Sequence, residues 1–366
     1  MTADLFESYL IALDALFERL GRNHASSADA LVYQQRLQEN IALTRRYGDN
    51  ENRRSERSEI IDLLNRLCNE ALGADFNTLV RQAQPQPEWD GDRARPRKPF
   101  EPETVLIPGG LFAMGSDDPA LPASERPQHT VDLPDFRIGR YPVTNRQYAA
   151  FIKDTTAQPA PQGWFNREPP PDRLDHPVVN VSWYDALAYG AWLSAQTGRR
   201  YRLPSEAEWE KACRHSVSRS ADQKMAEAVA TSRYPWGEGA ADGRCNAASS
   251  GTTPVMAHPT GASAYGVEDL LGNVQEWTRS LWGSQPGLPD FGYPYQPDDG
   301  REIEAPNQLP AQARLVHRGG SFKSQPADLR STARGNALPD SKIAWRGLRV
   351  ALHDERHPHS TNSARP

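Results

Sequence analysis

A chemically mixed set of side chains follows Arg318-Gly-Gly-Ser-Phe and precedes an alternating stretch around Leu348 and Val350. Gly319 and Gly320 allow backbone conformations that are closed to other residues. The set has neither helical nor strand spacing, and loops held on a rigid scaffold commonly carry binding residues. The pattern indicates either a ligand-binding surface or an ordinary surface loop. The candidate ligand-binding residues are Lys323, Ser324, Gln325, Asp328, Asn336, Leu338, Ser341, Lys342, Ala344 and Trp345.

The other side chains that could do chemistry form no catalytic pattern. Ser182 and Ser205 are better explained as helix N-caps than as nucleophiles, and Ser321 as part of a turn. No phosphate-cradling glycine loop is present. Three histidines lack metal-ligand spacing and are interpreted as hydrogen-bonded structural residues: His129, His176 and His258. Three cysteines make neither a disulfide framework nor a metal cluster: Cys68, Cys213 and Cys245.

Composition narrows the classes of partner. The net charge of −5 over 366 residues gives no argument for a nucleic-acid-binding domain. No apolar run approaches the roughly 20 residues that a membrane helix needs, and Met1-Thr-Ala-Asp lacks the basic start of a secretion signal. We therefore expect a cytoplasmic protein with neither nucleic acid nor membrane as its partner.

The first 80 residues are predicted to form a small all-α bundle. A first helix ends at Gly21, a second covers Ser27–Tyr47 and a third covers Asn52–Leu72. Apolar residues three and four positions apart give the first helix one apolar face: Leu5, Tyr9, Leu13, Leu16 and Leu20. Three helices of this size have a thin core, which could need a partner.

Alternating proline and charge over residues 81–103 cannot build a core and predicts a linker. Residues 104–353 then show short strands, turns and helices with caps at Thr144, Ser182 and Ser205. Leu348 and Val350 alternate with Arg349 and Ala351, which predicts a strand with one buried face. Residues 215–231 and 281–313 are interpreted as insertions, and 354–366 as a disordered tail.

Eight motifs in order over residues 104–352 resemble the formylglycine-generating-enzyme (sulfatase-modifying factor) family. The resemblance implies an α+β fold of the C-type-lectin-like kind, with small twisted sheets and much ordered loop. The motifs are Ile107-Pro-Gly-Gly-Leu-Phe-Ala-Met-Gly-Ser, Glu125-Arg-Pro-Gln-His-Thr-Val, Tyr141-Pro-Val-Thr-Asn, His176-Pro-Val-Val-Asn-Val-Ser-Trp, Tyr201-Arg-Leu-Pro-Ser-Glu-Ala-Glu-Trp-Glu, Tyr234-Pro-Trp-Gly, Leu271-Gly-Asn-Val-Gln-Glu-Trp-Thr and Arg318-Gly-Gly-Ser-Phe.

The family's oxidase activity requires two cysteines shortly after the Gly-Gly-Ser motif, which bind Cu(I). Thiolate is the natural ligand of this soft ion, but the first position falls near Ser324 and no cysteine follows Cys245. The ergothioneine-synthesis branch uses a His-rich iron-binding bundle, whereas the N-terminal region here has only His24. We therefore expect no copper and no oxidase chemistry, and hence a protein that is not an enzyme.

The same resemblance implies a structural Ca²⁺ site in the loop Asp269-Leu-Leu-Gly-Asn-Val-Gln-Glu. Asp269 and Glu276 offer the hard carboxylate oxygens that Ca²⁺ prefers, and backbone carbonyls can complete the shell. The alternative is that Glu276 caps a turn and Asp269 is solvated. The predicted backbone ligands are those of Leu271, Gly272 and Val274.

The C-terminal stretch also resembles the variable proteins of diversity-generating retroelements. In that branch an Arg-Gly-Gly-Ser-aromatic motif opens a variable stretch and a Gly-x-Arg-Val strand closes it, which here are Arg318–Phe322 and Gly347–Val350. The resemblance implies that the ten residues named above face a ligand. Catalytically dead family members share the same end motifs, so an ordinary pseudoenzyme stays open.

The N-terminal helices resemble effector-associated adaptor domains of bacterial conflict systems. The similarity lies in Ala30–Ile41, Arg45-Arg-Tyr-Gly-Asp and the charged run Arg53–Arg57. It implies pairing with a like domain on an effector protein. A helical dimerisation or packing appendage is the alternative.

These observations favour a non-catalytic ligand-binding protein with a helical module for effector recruitment. Its ligand would be a protein or other macromolecule, with Trp345 as an anchor because aromatic side chains dominate binding hot spots. The competing hypothesis is a divergent formylglycine-generating-type oxidase that acts on protein cysteine or a small thiol.

Overall fold

The computed structural model describes residues 5–20, 27–47, 51–72, 76, 79, 96–214, 232–237, 239 and 241–353. It divides into two compact units, residues 1–96 and 97–366. Most of the predicted linker, His24, the 215–231 segment and the predicted tail lie outside the described residues.

The described residues of the first unit include the three predicted helices: α1 (Leu5–Leu20), α2 (Ser27–Tyr47) and α3 (Glu51–Leu72). Leu13, Leu16 and Leu20 of α1 lie in its apolar core, together with Cys68. Leu31 of α2, although apolar, is 58% exposed. Among the described residues, no helix is long and apolar enough to cross a membrane.

In the described part of the second unit, side-chain caps fix the starts of three helices: α4 (Asn145–Asp154), α5 (Trp183–Thr197) and α6 (Glu206–Cys213). Thr144, Ser182 and Ser205 each accept a hydrogen bond from a backbone N–H in the first turn, and the side chain three residues later accepts one in return. These reciprocal capping boxes satisfy backbone donors that a helix start leaves free. All three predicted caps are confirmed.

Short strands surround these helices: β1 (Thr104–Ile107), β2 (Gly110–Met114), β3 (His129–Leu133), β4 (Phe136–Gly139), β5 (Tyr201–Arg202), β6 (Gln275–Gly283), β7 (Arg314–Arg318), β8 (Arg334–Ala337), β9 (Arg346–Leu348) and β10 (Ala351–His353). One sheet has the order β1-β4-β10-β5 and another β8-β7-β6-β9, while β2 and β3 form a hairpin. Strand β10 is therefore an inner strand, antiparallel to both β4 and β5. Strand β9 pairs in parallel with β6.

Two expectations need correction. Phe100 packs on Trp192 with ring centroids 5.0 Å apart, so residues 97–103 belong to the domain rather than to a free linker. Arg349 is fully buried, so the stretch around it has no solvent-facing side. The 281–313 stretch, interpreted as an insertion, contributes two buried side chains, Tyr295 and Ile303.

Candidate functional site

The ten predicted ligand-binding residues all lie at accessible positions, because none is buried. Lys323 Nζ lies 3.8 Å from the centre of the Trp345 ring, which joins the two ends of the stretch. Lys342 pairs with Asp185 at 2.7 Å, while Asn336 is bonded to Arg314 and to the carbonyl of Pro286. Several of these side chains are therefore held by neighbouring elements. Ligand binding by this set stays a prediction.

A buried ionic network lies beneath the Arg-Gly-Gly-Ser motif. Arg318 donates to Glu206 at 3.1 Å and to Glu210 at 2.5 Å, and Arg334 donates to both oxygens of Glu206. All four side chains are fully buried. Burial opposes ionisation of Glu210, but Arg214 and Arg318 outweigh it and lower the pKa of that carboxyl. The network joins α6 to β7 and β8 through ion pairs that water does not screen.

A second ionic group borders a cavity of about 410 Å³. Arg330 donates to both oxygens of Glu125, and Thr332 donates to Glu125 Oε2 at 2.7 Å. The loop that carries Arg330 and Thr332 is hydrogen-bonded to Arg233, whose carbonyl accepts from the backbone N–H of Ser331 at 2.8 Å. The cavity therefore lies beside the loop that follows Arg-Gly-Gly-Ser.

Charged and amide side chains dominate the cavity wall. Leu121 is its apolar member, and Ser116, Ser232 and Thr332 contribute hydroxyl groups. None of the ten predicted ligand-binding residues lines this cavity. The charged and amide lining residues are Asp117, Asp118, Gln128, Arg214, Arg233 and Arg330.

The sequence does not reveal this site because its wall comes from four distant stretches of chain. Of the pair Arg330 and Glu125, only Glu125 lies in one of the eight family motifs. Glu125 is only 1% exposed in the structure and therefore needs a cationic partner, but this burial cannot be read from the motif. The sequence did not identify that partner 205 positions away.

The residues near Ser324 do not fit a copper(I) ion. Ser324 Oγ accepts from the backbone N–H of Ser321 at 3.1 Å, and Leu329 fills the space against Gly320. A neutral hydroxyl and an aliphatic side chain are poor ligands for a soft ion. Within the described ranges, no group of three His, Cys, Asp or Glu side chains could hold a metal ion.

The cysteines of the second unit are also unsuited to thiolate chemistry. Burial raises the pKa of the Cys213 thiol to about 12. For Cys245, burial first and then Asp269 raise the thiol pKa to about 11. Nucleophilic and metal-binding cysteines need the thiolate form, which these environments disfavour.

The predicted calcium ligands are not assembled for an ion. Both oxygens of Glu276 accept from Arg349, at 2.7 and 2.9 Å, and Oε2 also accepts from Trp209. Asp269 accepts from Asn273 at 2.7 Å, and burial raises the pKa of its carboxyl to about 8. A calcium ion would have to displace Arg349 from Glu276. The predicted set, including the backbone of Leu271, Gly272 and Val274, therefore does not fit the ion.

The sulfatase-modifying factor enzyme 1-like domain matches residues 92–354. The chain belongs to this family. The formylglycine-generating enzyme of Thermomonospora curvata is 33% identical over 328 residues, covering 72% of this chain and 98% of that enzyme. Hercynine oxygenase of Mycolicibacterium smegmatis is 36% identical over 279 residues, covering 68% of this chain. The chain spans 60% of that relative's length.

A solved structure shows the same fold. PvdO from Pseudomonas aeruginosa has a TM-score of 0.50 at 26% identity, over 70% of this chain and 96% of its own. With the family match, this confirms the predicted fold class: an α+β, C-type-lectin-like domain of the formylglycine-generating-enzyme type that follows an all-α bundle. A variable protein of Treponema denticola is also similar, with a TM-score of 0.47 at 20% identity, over 69% of this chain and 95% of its own.

The relatives overturn the functional prediction. A hercynine oxygenase and a formylglycine-generating enzyme are both enzymes, at 36% and 33% identity to this chain. The expectation of a non-catalytic binding protein was wrong. It gave too much weight to one missing pair of thiols, whereas similarity over more than two thirds of the chain favours the oxidase hypothesis.

Proposed function

We propose that the second unit is a divergent oxidase of this family, acting on protein cysteine or a small thiol. The observation that carries the proposal is the 33% identity to a formylglycine-generating enzyme across 98% of that enzyme's length. The 36% identity to a hercynine oxygenase supports the same class of reaction. The misfit of copper at Ser324 means that no step is assigned to that ion.

The candidate substrate site is the polar cavity beside the loop 327–332. Arg330 is fixed there by two hydrogen bonds to Glu125, so its guanidinium has one orientation. Fixed charges in a partly enclosed cavity orient a polar substrate without reorganising on binding. The chain's own contribution to the reaction is thus to bind and orient the substrate.

Oxygen uptake with L-cysteine and with a cysteine-containing peptide tests the proposal. The full chain is assayed without added metal, with Cu(I) or with Fe(II), and again with a chelator. We expect thiol-dependent uptake with at least one metal, and its loss with the chelator. Uptake no faster than that of metal and thiol alone, under every condition, would refute an oxidase.

A variant pair locates the activity. Arg330→Met removes the guanidinium that Glu125 holds, and we expect thiol-dependent uptake to fall about tenfold or more, equivalent to at least ~1.4 kcal/mol of transition-state stabilisation. Arg146→Met is the matched control, because Arg146 pairs with Asp175 on the exposed surface. Equal loss in both variants would place the reaction elsewhere.

Two partner predictions stand beside this proposal. We infer from the resemblances that the first unit recruits an effector through its helices and that the surface around Trp345 contacts a macromolecular ligand. Pulldown with and without residues 1–80 tests the first, and pulldown with Trp345→Ala tests the second. Unchanged capture in either experiment counts against the corresponding prediction.

A further inference from the structure

We propose that the cavity beside loop 327–332 binds a small zwitterion carrying the carboxylate and ammonium groups of an α-amino acid. The inference rests on the proposed function only in treating this ligand as a substrate. Binding itself follows from the cavity wall and is testable without turnover.

The cavity wall supplies hydrogen-bond donors that are not fully used. The Arg214 side chain is only 4% exposed, and its Nε and Nη2 donate to Glu210 and to the carbonyl of Gly115. Within the described residues, the hydrogen bonds of Arg214 use Nε and Nη2 and leave Nη1 without a protein acceptor, and the residue lines the cavity. A guanidinium held in this way presents a remaining N–H to a carboxylate at low entropic cost. Within the same described part, the Gln128 side-chain amide is likewise without a protein partner.

The same wall also supplies carboxylate oxygens. Asp117 Oδ1 accepts from the backbone N–H of Gln128 at 2.9 Å, and Asp118 Oδ1 accepts from that of Ala120 at 2.9 Å. These bonds orient both side chains. The second oxygen of each aspartate has no donor among the residues that the structure describes. An ammonium group carries three donors and suits such acceptors.

Size and polarity agree with this ligand class. The volume of about 410 Å³ lies within the ~300–1,000 Å³ usual for small-molecule pockets. Most such pockets are largely apolar, whereas here Leu121 is the apolar member of the wall. An isolated anion would face two aspartates, and an isolated cation would face three guanidinium groups. A ligand with both charges meets a partner for each.

Calorimetric titration of the full chain tests the assignment with four probes. L-Serine and L-cysteine keep both charged groups, L-serine methyl ester lacks the carboxylate, and N-acetyl-L-serine lacks the ammonium. We expect both amino acids to bind and each derivative to bind about tenfold more weakly or worse. No heat of binding from L-serine at millimolar concentrations, or equal binding of either derivative, would overturn the proposal.

Variants assign the ammonium site. Asp117 and Asp118 are both exposed, and asparagine keeps the oxygen that accepts from the backbone. The double variant Asp117→Asn, Asp118→Asn should lose the preference for L-serine over N-acetyl-L-serine and keep the melting temperature. The exposed Asp298→Asn is the matched control. A retained preference in the double variant would contradict the assignment.

The titration separates the two proposals. Binding of L-serine without any thiol-dependent oxygen uptake would leave the zwitterion site standing and refute the oxidase. Oxygen uptake without amino-acid binding would do the reverse.

Discussion

At the scale of single residues, buried charged side chains are paired with a side chain of opposite charge. Glu276 and Arg349 are fully buried, and two hydrogen bonds at 2.7 and 2.9 Å join them. Arg349 also donates to the carbonyls of Gly139, Arg140, Glu268 and Asp269, so one guanidinium joins two further stretches of chain to β6. Loss of either partner leaves a charge that cannot reach water.

Arg349→Met should therefore lower the free energy of unfolding by roughly 3–5 kcal/mol. The loss comes from the uncompensated Glu276 carboxylate rather than from packing, because methionine fills a similar volume. Urea denaturation measures it. The double variant Arg349→Met, Glu276→Gln should recover part of the loss, and a double variant as unstable as the single one would argue against this cause.

The buried Asp269 carboxyl should make the stability of the protein depend on pH. Burial raises the pKa of its carboxyl from 3.8 to about 8 in the folded state. The stability that this group contributes is complete below its unfolded pKa and is lost as pH rises through the folded value. The free energy of unfolding should thus fall between pH 4 and 8, by up to about 1.4 kcal/mol per unit.

Asp269→Asn should remove this slope and stabilise the protein at pH 8, as measured by denaturation across the pH range. The same pair of proteins tests the metal. Calcium that raises the melting temperature of the parent, but not of the variant, would contradict the conclusion that the donors do not fit this ion.

At the scale of elements, local signals predicted helix starts well and burial of strands poorly. Ser182 and Ser205 were recognisable because a cap and its reciprocal partner lie three residues apart. The burial of Arg349 could not be recognised, because its partner Glu276 lies 73 positions away. The position of the cavity could not be predicted for the same reason. Interactions between residues a few positions apart can be predicted from one sequence, whereas contacts between distant stretches of chain cannot.

Ser205→Ala should cost about 1 kcal/mol, the usual contribution of an N-cap. Its hydroxyl accepts from the backbone N–H of Glu208, whose carboxylate accepts in return from the N–H of Ser205. Ser284→Ala, at an exposed position, is the control and should leave stability nearly unchanged. Chemical denaturation measures the free energy of unfolding of both variants. An equal decrease in both would show that the Ser205 cap does not stabilise the helix.

At the scale of the whole molecule, each unit has its own hydrophobic core. Leu16, Leu37 and Leu64 centre the first, while two clusters, one around Trp183 and Trp277 and one around Trp209, fill the second. Family and fold class were predictable because eight motifs occur in order over the second unit. Whether the chain is an enzyme or a binding protein could not be predicted, because one sequence cannot show which departures from the family's motifs still allow catalysis.

Residues 97–366 produced alone should therefore fold, with near-UV circular dichroism that retains the tryptophan signal of the second unit. The measurement compares this fragment with the full chain. A fragment without a cooperative thermal transition would show that the second unit depends on the first.

The position of β10 constrains how the molecule is made. This strand, Ala351–His353, joins β4 to β5, and β9 completes the other four-stranded sheet only a few residues earlier. During synthesis, the first sheet lacks its inner strand until position 353 has left the ribosome, and the second lacks β9 until position 348 has done so. The emerging polypeptide therefore carries open strand edges from the synthesis of β1 until nearly the end of the second unit, and we expect chaperones that shield such edges to bind it.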